Sequence, residues 1–174
     1  MNLGISPASV TLLNNSLPLV SRIWTKSLPW KESVAEHTMW ALILVDQYKK
    51  LIEDLWWNPA RIQAMLRIHD LPEILTWDID PRSIAEHTKY YFEEWAMTLL
   101  IQNEKDRDLW YEYSQWETLD AQIAKMIDKL QFIEKMLHLW HTDKARSAYY
   151  INYRKYFLPF PPFQRYLEKI FPQK

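Results

Sequence analysis

The segment MLRIHDLPEILTWDID, residues 65–80, gathers His69, Asp70, Glu73, Asp78 and Asp80 just where the flanking apolar residues lead the chain into a core. Ionised carboxylates buried in protein carry a large desolvation penalty unless they pair, take up a proton or bind a metal. Laying a helical repeat over the chain finds other polar residues turned inward. His37 lies on a face continued by Trp40, Ala41, Leu44, Val45 and Tyr48, and His69 follows Ile62, Met65 and Leu66 at three- and four-residue spacing. Asp128 sits among Ala121, Ala124 and Phe132 on one helix face, so its carboxylate is predicted to be buried. Two inward imidazoles and two inward carboxylates, Asp70 and Asp128, suit one divalent metal ion that keeps positions open for water and substrate. A lone inward histidine is ordinarily a hydrogen-bonded core residue, and a lone His-Asp pair arises often by chance. The signal is the set, spread over separate predicted helices.

Those residues need elements to hold them. Ser33 is placed to cap a helix through VAEHTMWALILVDQYKKLIEDL, because its hydroxyl accepts a bond from a free N–H of the first turn. Asn58 followed by Pro59 is a second start signal, a cap and then proline at the first helical position, ahead of ARIQAMLRIHD. A helix over about residues 8–20 precedes them, and TKSLPWKE between reads as a loop. SIAEHTKYYFEEWAMTLLIQ and TLDAQIAKMIDKLQFIEKMLHLW are two more long helices; 143–157 and 162–171 are helical with aromatic faces, separated by LPFPP. Nothing alternates with period two, so an all-α bundle is expected. It is read as one domain over residues 1–174, with a motif-bearing core at about 18–140 and a helical extension at about 141–174.

Composition excludes several functions. One glycine, Gly4, rules out a glycine-rich phosphate loop, so any phosphate must be held by side chains or a metal. The absence of cysteine excludes disulfides, thiolate metal sites and a cysteine nucleophile. A net charge of −1 offers no basic face for a nucleic-acid polymer. No apolar run approaches the length of a membrane span and the N-terminus does not read as a leader, so a cytoplasmic protein with no membrane partner is expected. Ten tryptophans and ten tyrosines can fill a core or stack on a flat ligand.

The order His, then His-Asp, then Asp resembles the HD phosphohydrolase superfamily. ESVAEHTMWALIL resembles the segment holding the first histidine of its 5′-deoxynucleotidase branch, IHDLPEILTWDIDP resembles the branch's HD, two residues, E, then T-G-D stretch, and AKMIDKLQFIEKM is similar to its last-ligand helix. Trp77 departs from the pattern, standing where these proteins commonly have glycine. The resemblance implies His37, His69, Asp70 and Asp128 as ligands of one divalent ion such as Zn, Co, Mn or Mg. It implies Glu73 and Asp78 as the acidic residues assisting water attack and leaving-group departure, and Arg22, fifteen residues before His37, as the holder of substrate phosphate.

Read from the residues alone, Glu73 reaches the face of His69 and Asp70 if their helix continues; otherwise it is an exposed turn residue. Asp78 and Asp80 are also placed to cap a helix beginning near Pro81, and Asp80 is read that way. Lys89 and Arg82 are further phosphate partners, ranked below Arg22. Trp24, Trp30 and Trp77 are candidate base-stacking residues, with core packing the default for any tryptophan. His87, His138 and His141 are read as surface residues.

The resemblance thus implies a metal-dependent hydrolase of a small-molecule deoxynucleotide, working as a homo-oligomer. Its substrate is either a dNMP, split to deoxynucleoside and phosphate, or a dNTP, split to deoxynucleoside and triphosphate as in compact phage-type dATP triphosphohydrolases; the length of the chain tilts toward the second. The alternative is a non-catalytic module that binds a nucleotide or a protein partner.

Overall fold

A computed structural model describes residues 4–25, 31–54, 57–79 and 83–172, without the side chains of Trp24 and Glu86. The chain forms two compact units, residues 1–124 and 125–174. The described residues are helical throughout, apart from turns and one isolated antiparallel bridge between Ser21 and Ser33. None of the described helices is long and apolar enough to cross a membrane.

In the first unit α1 (Pro7–Asn15) begins at Ser6, whose hydroxyl accepts the Ser9 N–H. It is shorter than the expected span because Pro18, which has no N–H to donate, stands in a separate 3-10 turn, Leu17–Leu19. A second such turn, Ile23–Thr25, follows Arg22. The chain then returns to pair Arg22 N–H with Glu32 O at 2.8 Å and Val34 N–H with Val20 O at 2.8 Å, which anchors the residue after Ser21 to the start of α2 (Val34–Gln47). That start is a full capping box: Ser33 accepts the Glu36 N–H at 3.1 Å while the Glu36 carboxylate accepts the Ser33 N–H at 2.7 Å.

The single long helix expected after Ser33 is broken at Tyr48 (φ −98°, ψ 9°), and α3 (Lys49–Asp54) follows. His37, Ala41, Leu44 and Val45 are buried as the helical repeat predicts, but Trp40 on the same predicted face is 48% exposed. It lies a full 100° step from its buried neighbour Ala41, enough to carry a large ring off the covered stripe.

Asn58 and Pro59 start α4 (Pro59–Ile68) as predicted, the Asn58 side chain accepting the Arg61 N–H. After α4 come α5 (Glu73–Thr76), α6 (Glu86–Leu100) and α7 (Glu104–Gln115). The sequence reading did not anticipate α7, although Asn103 caps it and Leu109, Trp110 and Tyr113 give it a buried face. Asp106, inside that helix, accepts the Ser6 N–H at 3.0 Å and the Ser9 hydroxyl, tying α7 to α1. α2 packs on α4, α4 on α7 and α5 on α6.

The second unit holds the larger part of α8 (Leu119–His138), then α9 (Thr142–Ala148), a π-helical turn at Tyr149–Tyr153, α10 (Arg154–Phe157) and α11 (Pro161–Ile170). Its interior is aromatic: the buried Tyr149 ring meets Phe157 edge-on at 5.5 Å and lies 6.1 Å from Phe171, with Phe160, Phe163 and Leu167 also buried.

The capping box sets where α2 begins and therefore where His37 points. Ser33→Ala is expected to cost about 1 kcal/mol of stability, read as a lower urea midpoint, and Ser33→Thr should recover most of it.

Candidate metal centre

Three of the expected ligands come together at the contact of α2 with the end of α4. His37 Nε2 lies 3.4 Å from His69 Nε2 and 3.6 Å from Asp70 Oδ2, and His69 Nε2 lies 3.0 Å from the same Asp70 oxygen. Among the described residues these form the group of histidine and carboxylate side chains able to share one ion, with all ligand atoms within 4.8 Å of one another. Bonds of about 2.1 Å in a tetrahedral arrangement separate neighbouring ligand atoms by about 3.4 Å, close to the separations found.

Local structure aims each group. His69 follows the last residue of α4, where its Nδ1 lies 2.7 Å from Leu66 O. A carbonyl can only accept, so Nδ1 carries the proton and a neutral ring turns the Nε2 lone pair toward His37 and Asp70. From α7, Trp110 Nε1–H donates to His69 O at 3.1 Å and the Tyr113 ring meets the His69 ring edge-on at 5.2 Å. These two residues position the site and were missed in the sequence; their signal was the apolar spacing of LWYEY behind the Asn103 cap.

Glu73 reaches this neighbourhood by a different route from the one expected. α4 does not continue: Leu71 N–H donates to Ile68 O and Glu73 N–H to Asp70 O, and the chain restarts as the short α5 with Glu73 as its first residue. Glu73 is only 2% exposed, which removes the reading of an exposed turn residue, and its Oε2 is buried without a hydrogen-bond partner among the described residues. A buried carboxylate oxygen left in that state calls for a water or a cation.

Arg22 lies between two carboxylates, Nη1 3.2 Å from Asp70 Oδ2 and Nε 3.5 Å from Asp78 Oδ2. Asp78 also accepts the Ile23 N–H at 2.6 Å. Among the described residues the next helix starts at Glu86, and Pro81, where a helix start is expected, lies outside them. Lys89 on α6 pairs with Glu93 at 3.1 Å. Trp77 adjoins Asp78 and is 64% exposed. The Trp24 side chain, Trp30, Asp80 and Arg82 lie outside the described residues. Asp128 is 5% exposed, as its helix face predicts, and its Oδ2 lies 2.7 Å from Lys129 Nζ within the second unit. His87, His138 and His141 are exposed, as expected.

The electrostatics separate the two acids. For Asp70, burial would raise the carboxyl pKa, but the adjacent His69, with Arg22 and His37, outweighs burial and holds it well below the usual carboxylate range. For Glu73, burial and the negative charges of Asp70 and Asp78 push the pKa up against the pull of Arg22 and Lys89. Lys89 is itself raised: the attraction of Glu93, Glu73 and Asp70 exceeds the cost of its burial.

Comparison with known proteins places this geometry in a wider set. The sequence pattern of a family described as HD domain matches residues 15–156. The 5′-deoxynucleotidase hdd1 of Schizosaccharomyces pombe is 29% identical over 116 residues, covering 60% of this chain and 57% of that protein, so the match spans little more than half of the relative's length. A Pyrococcus horikoshii OT3 protein of known crystal structure is similar in fold, with a TM-score of 0.74 at 18% identity, covering 93% of this chain and 98% of that one. A conserved hypothetical protein from Pyrococcus furiosus has a TM-score of 0.68 at 20% identity, covering 95% of this chain and 99% of that one.

A prediction follows from the sign of the Glu73 shift. A carboxyl that holds its proton more tightly when folded makes the fold lose stability as pH rises from the ordinary value of 4.5 through the folded value. Asp70 acts oppositely and lower, its contribution being lost only as pH falls below its ordinary value of 3.8. With chelator present, the urea midpoint of the wild type should therefore decline as pH rises above 4.5. Glu73→Gln, which cannot ionise, should flatten that decline and unfold at higher urea at neutral pH.

Proposed function

The chain belongs to the HD domain family, and from that premise we propose that it is a metal-dependent phosphohydrolase of deoxynucleotides, with a 5′-deoxynucleoside monophosphate as substrate. The observation that carries this reading is the convergence of His37, His69 and Asp70 beside a buried glutamate whose Oε2 has no hydrogen-bond partner among the described residues. The curated relative named as a 5′-deoxynucleotidase supports the substrate class.

His37 Nε2, His69 Nε2 and Asp70 would hold a divalent ion, whose chemistry when bound is to acidify water and polarise a phosphoryl oxygen. The chain's own residues supply the rest. Glu73, with its raised proton affinity, takes the proton of the attacking water at a carboxylate oxygen that has no hydrogen-bond partner among the described residues. Arg22 offsets negative charge gathering on the phosphoryl group. Asp78, whose Oδ2 is engaged by the Ile23 N–H and faces Arg22, is better suited to orienting that guanidinium than to moving a proton. Lys89 adds positive charge from α6. A buried carboxylate of raised proton affinity close to Asp70 favours the enzymatic reading over the binding one.

Three measurements test this. His69→Ala or Asp70→Ala should abolish both metal retention and hydrolysis while helix content by circular dichroism stays near wild type. Glu73→Gln should still bind metal and nucleotide by calorimetry but turn over slower by a factor on the order of 10² or more. Chromatography of the products from each dNMP and dNTP decides the substrate: inorganic phosphate from dNMPs supports the proposal, triphosphate from dNTPs replaces it with the triphosphohydrolase reading, and binding without cleavage of any nucleotide overturns it.

A further inference from the structure

Among the described residues, those with positive φ are Gly4 (74°) and three tryptophans: Trp77 (61°), Trp116 (46°) and Trp140 (63°). Tryptophan makes up ten of 174 residues, so chance does not select it at all three non-glycine positions. Their places in the fold are equally specific, because each ends a helix where the first residue past the cap turns left-handed, the position glycine ordinarily fills. At the end of α8, Trp140 N–H donates to Leu137 O at 3.0 Å and His141 N–H to Met136 O at 2.8 Å, the paired bonds of a Schellman stop with tryptophan at its glycine position. At the ends of α7 and α5, Trp116 N–H donates to Glu112 O and Trp77 N–H to Glu73 O, both at 2.9 Å, the single bond of the simpler left-handed stop. Trp77, at φ 61° and ψ 170°, occupies a region essentially reserved for glycine.

Packing does not explain tryptophan at positions 77 and 140, while Trp116 is half-buried. Trp77 is 64% and Trp140 91% exposed, so neither ring repays its backbone strain by burial. Trp110 shows what a tryptophan required by the fold looks like: helical, 1% exposed, its indole N–H bonded to His69 O. Composition agrees, since a globular chain of this size has about 7% glycine and this one has a single residue.

We infer that positions 77, 116 and 140 are glycine positions, encoded by UGA, a codon that some genetic codes read as glycine and others as tryptophan, and that the source cell places glycine there. At position 77 this reaches the candidate active site. The residue closes α5, which begins with Glu73, and turns the chain into Asp78, so glycine at 77 is a positioning residue that lets both carboxylates reach their places without strain. That catalytic consequence rests on the proposed hydrolase reading; the assignment of glycine does not.

The test compares glycine with alanine at each position, because alanine also removes the ring but keeps the Cβ that the backbone disfavours. Trp77→Gly should raise the urea midpoint by about 0.5 M or more, with Trp116→Gly and Trp140→Gly also moving upward, while the three alanine variants gain less. Alanine matching glycine, or glycine lowering the midpoint, overturns the inference. In the hydrolysis assay Trp77→Gly should raise kcat above that of Trp77→Ala with KM little changed; a shared rise in KM for both variants would show instead that the indole binds nucleotide. If no form hydrolyses any nucleotide, the hydrolase reading fails while the midpoints still decide the glycine assignment. Peptide mass spectrometry of the protein from its source cell should find glycine at 77, 116 and 140 and tryptophan at 110, with UGA and UGG codons respectively; UGG at the three positions overturns the decoding.

Discussion

The structure around the candidate site depends on one constraint, the placing of the Asp70 carboxylate at a largely buried helix end. A carboxylate there must be compensated, and the compensation comes from three separate stretches of chain: Arg22 before α2, His37 within α2 and His69 at the end of α4. Each partner has its own anchorage. The backbone bonds between Val20, Arg22, Glu32 and Val34 fix the segment that carries Arg22, the Ser33 capping box sets the phase of α2, and α7 holds His69 through its carbonyl and its ring. Removing one partner from such a group leaves the rest of its charge uncompensated, so these anchors act together and not as a sum of independent contacts.

Two nearby acids are driven in opposite directions by that arrangement. Asp70 is surrounded by donors and cations, which lower its proton affinity; Glu73, more deeply enclosed and facing other negative charges, has its proton affinity raised. Pairs of carboxyl groups whose environments separate their proton affinities are how one fold assigns a charge-bearing role to one acid and a proton-moving role to another. The break between α4 and α5 makes this possible. Had α4 run on through Pro72, Glu73 would have followed His69 on the same stripe; the restart gives it a backbone direction of its own.

Helix ends recur as the decisive feature. His69 is placed by the end of α4, Glu73 by the start of α5, and Asp78 by the turn that closes α5. Regular helix supplies stiffness, but the chemistry is set where it stops, because only there can consecutive side chains take directions unrelated by the helical repeat. The local conformation at position 77 thus bears on two acidic residues at once.

The sequence by itself determined the helical class, the Ser33 and Asn58 caps, the inward direction of His37 and His69, and the burial of Asp128, because each follows from local spacing or from one side chain meeting a nearby backbone N–H. The motif residues were legible for the same reason. It did not yield the exposure of Trp40, the break at Tyr48 or the burial of Glu73 on a new helix, which depend on what packs against them. Nor did it predict that Trp110 and Tyr113, more than forty residues along the chain from His69, would hold it in place. Only the tertiary structure decided which carboxyl has its proton affinity lowered and which has it raised, since that balance is set by distances between groups that the chain order leaves far apart.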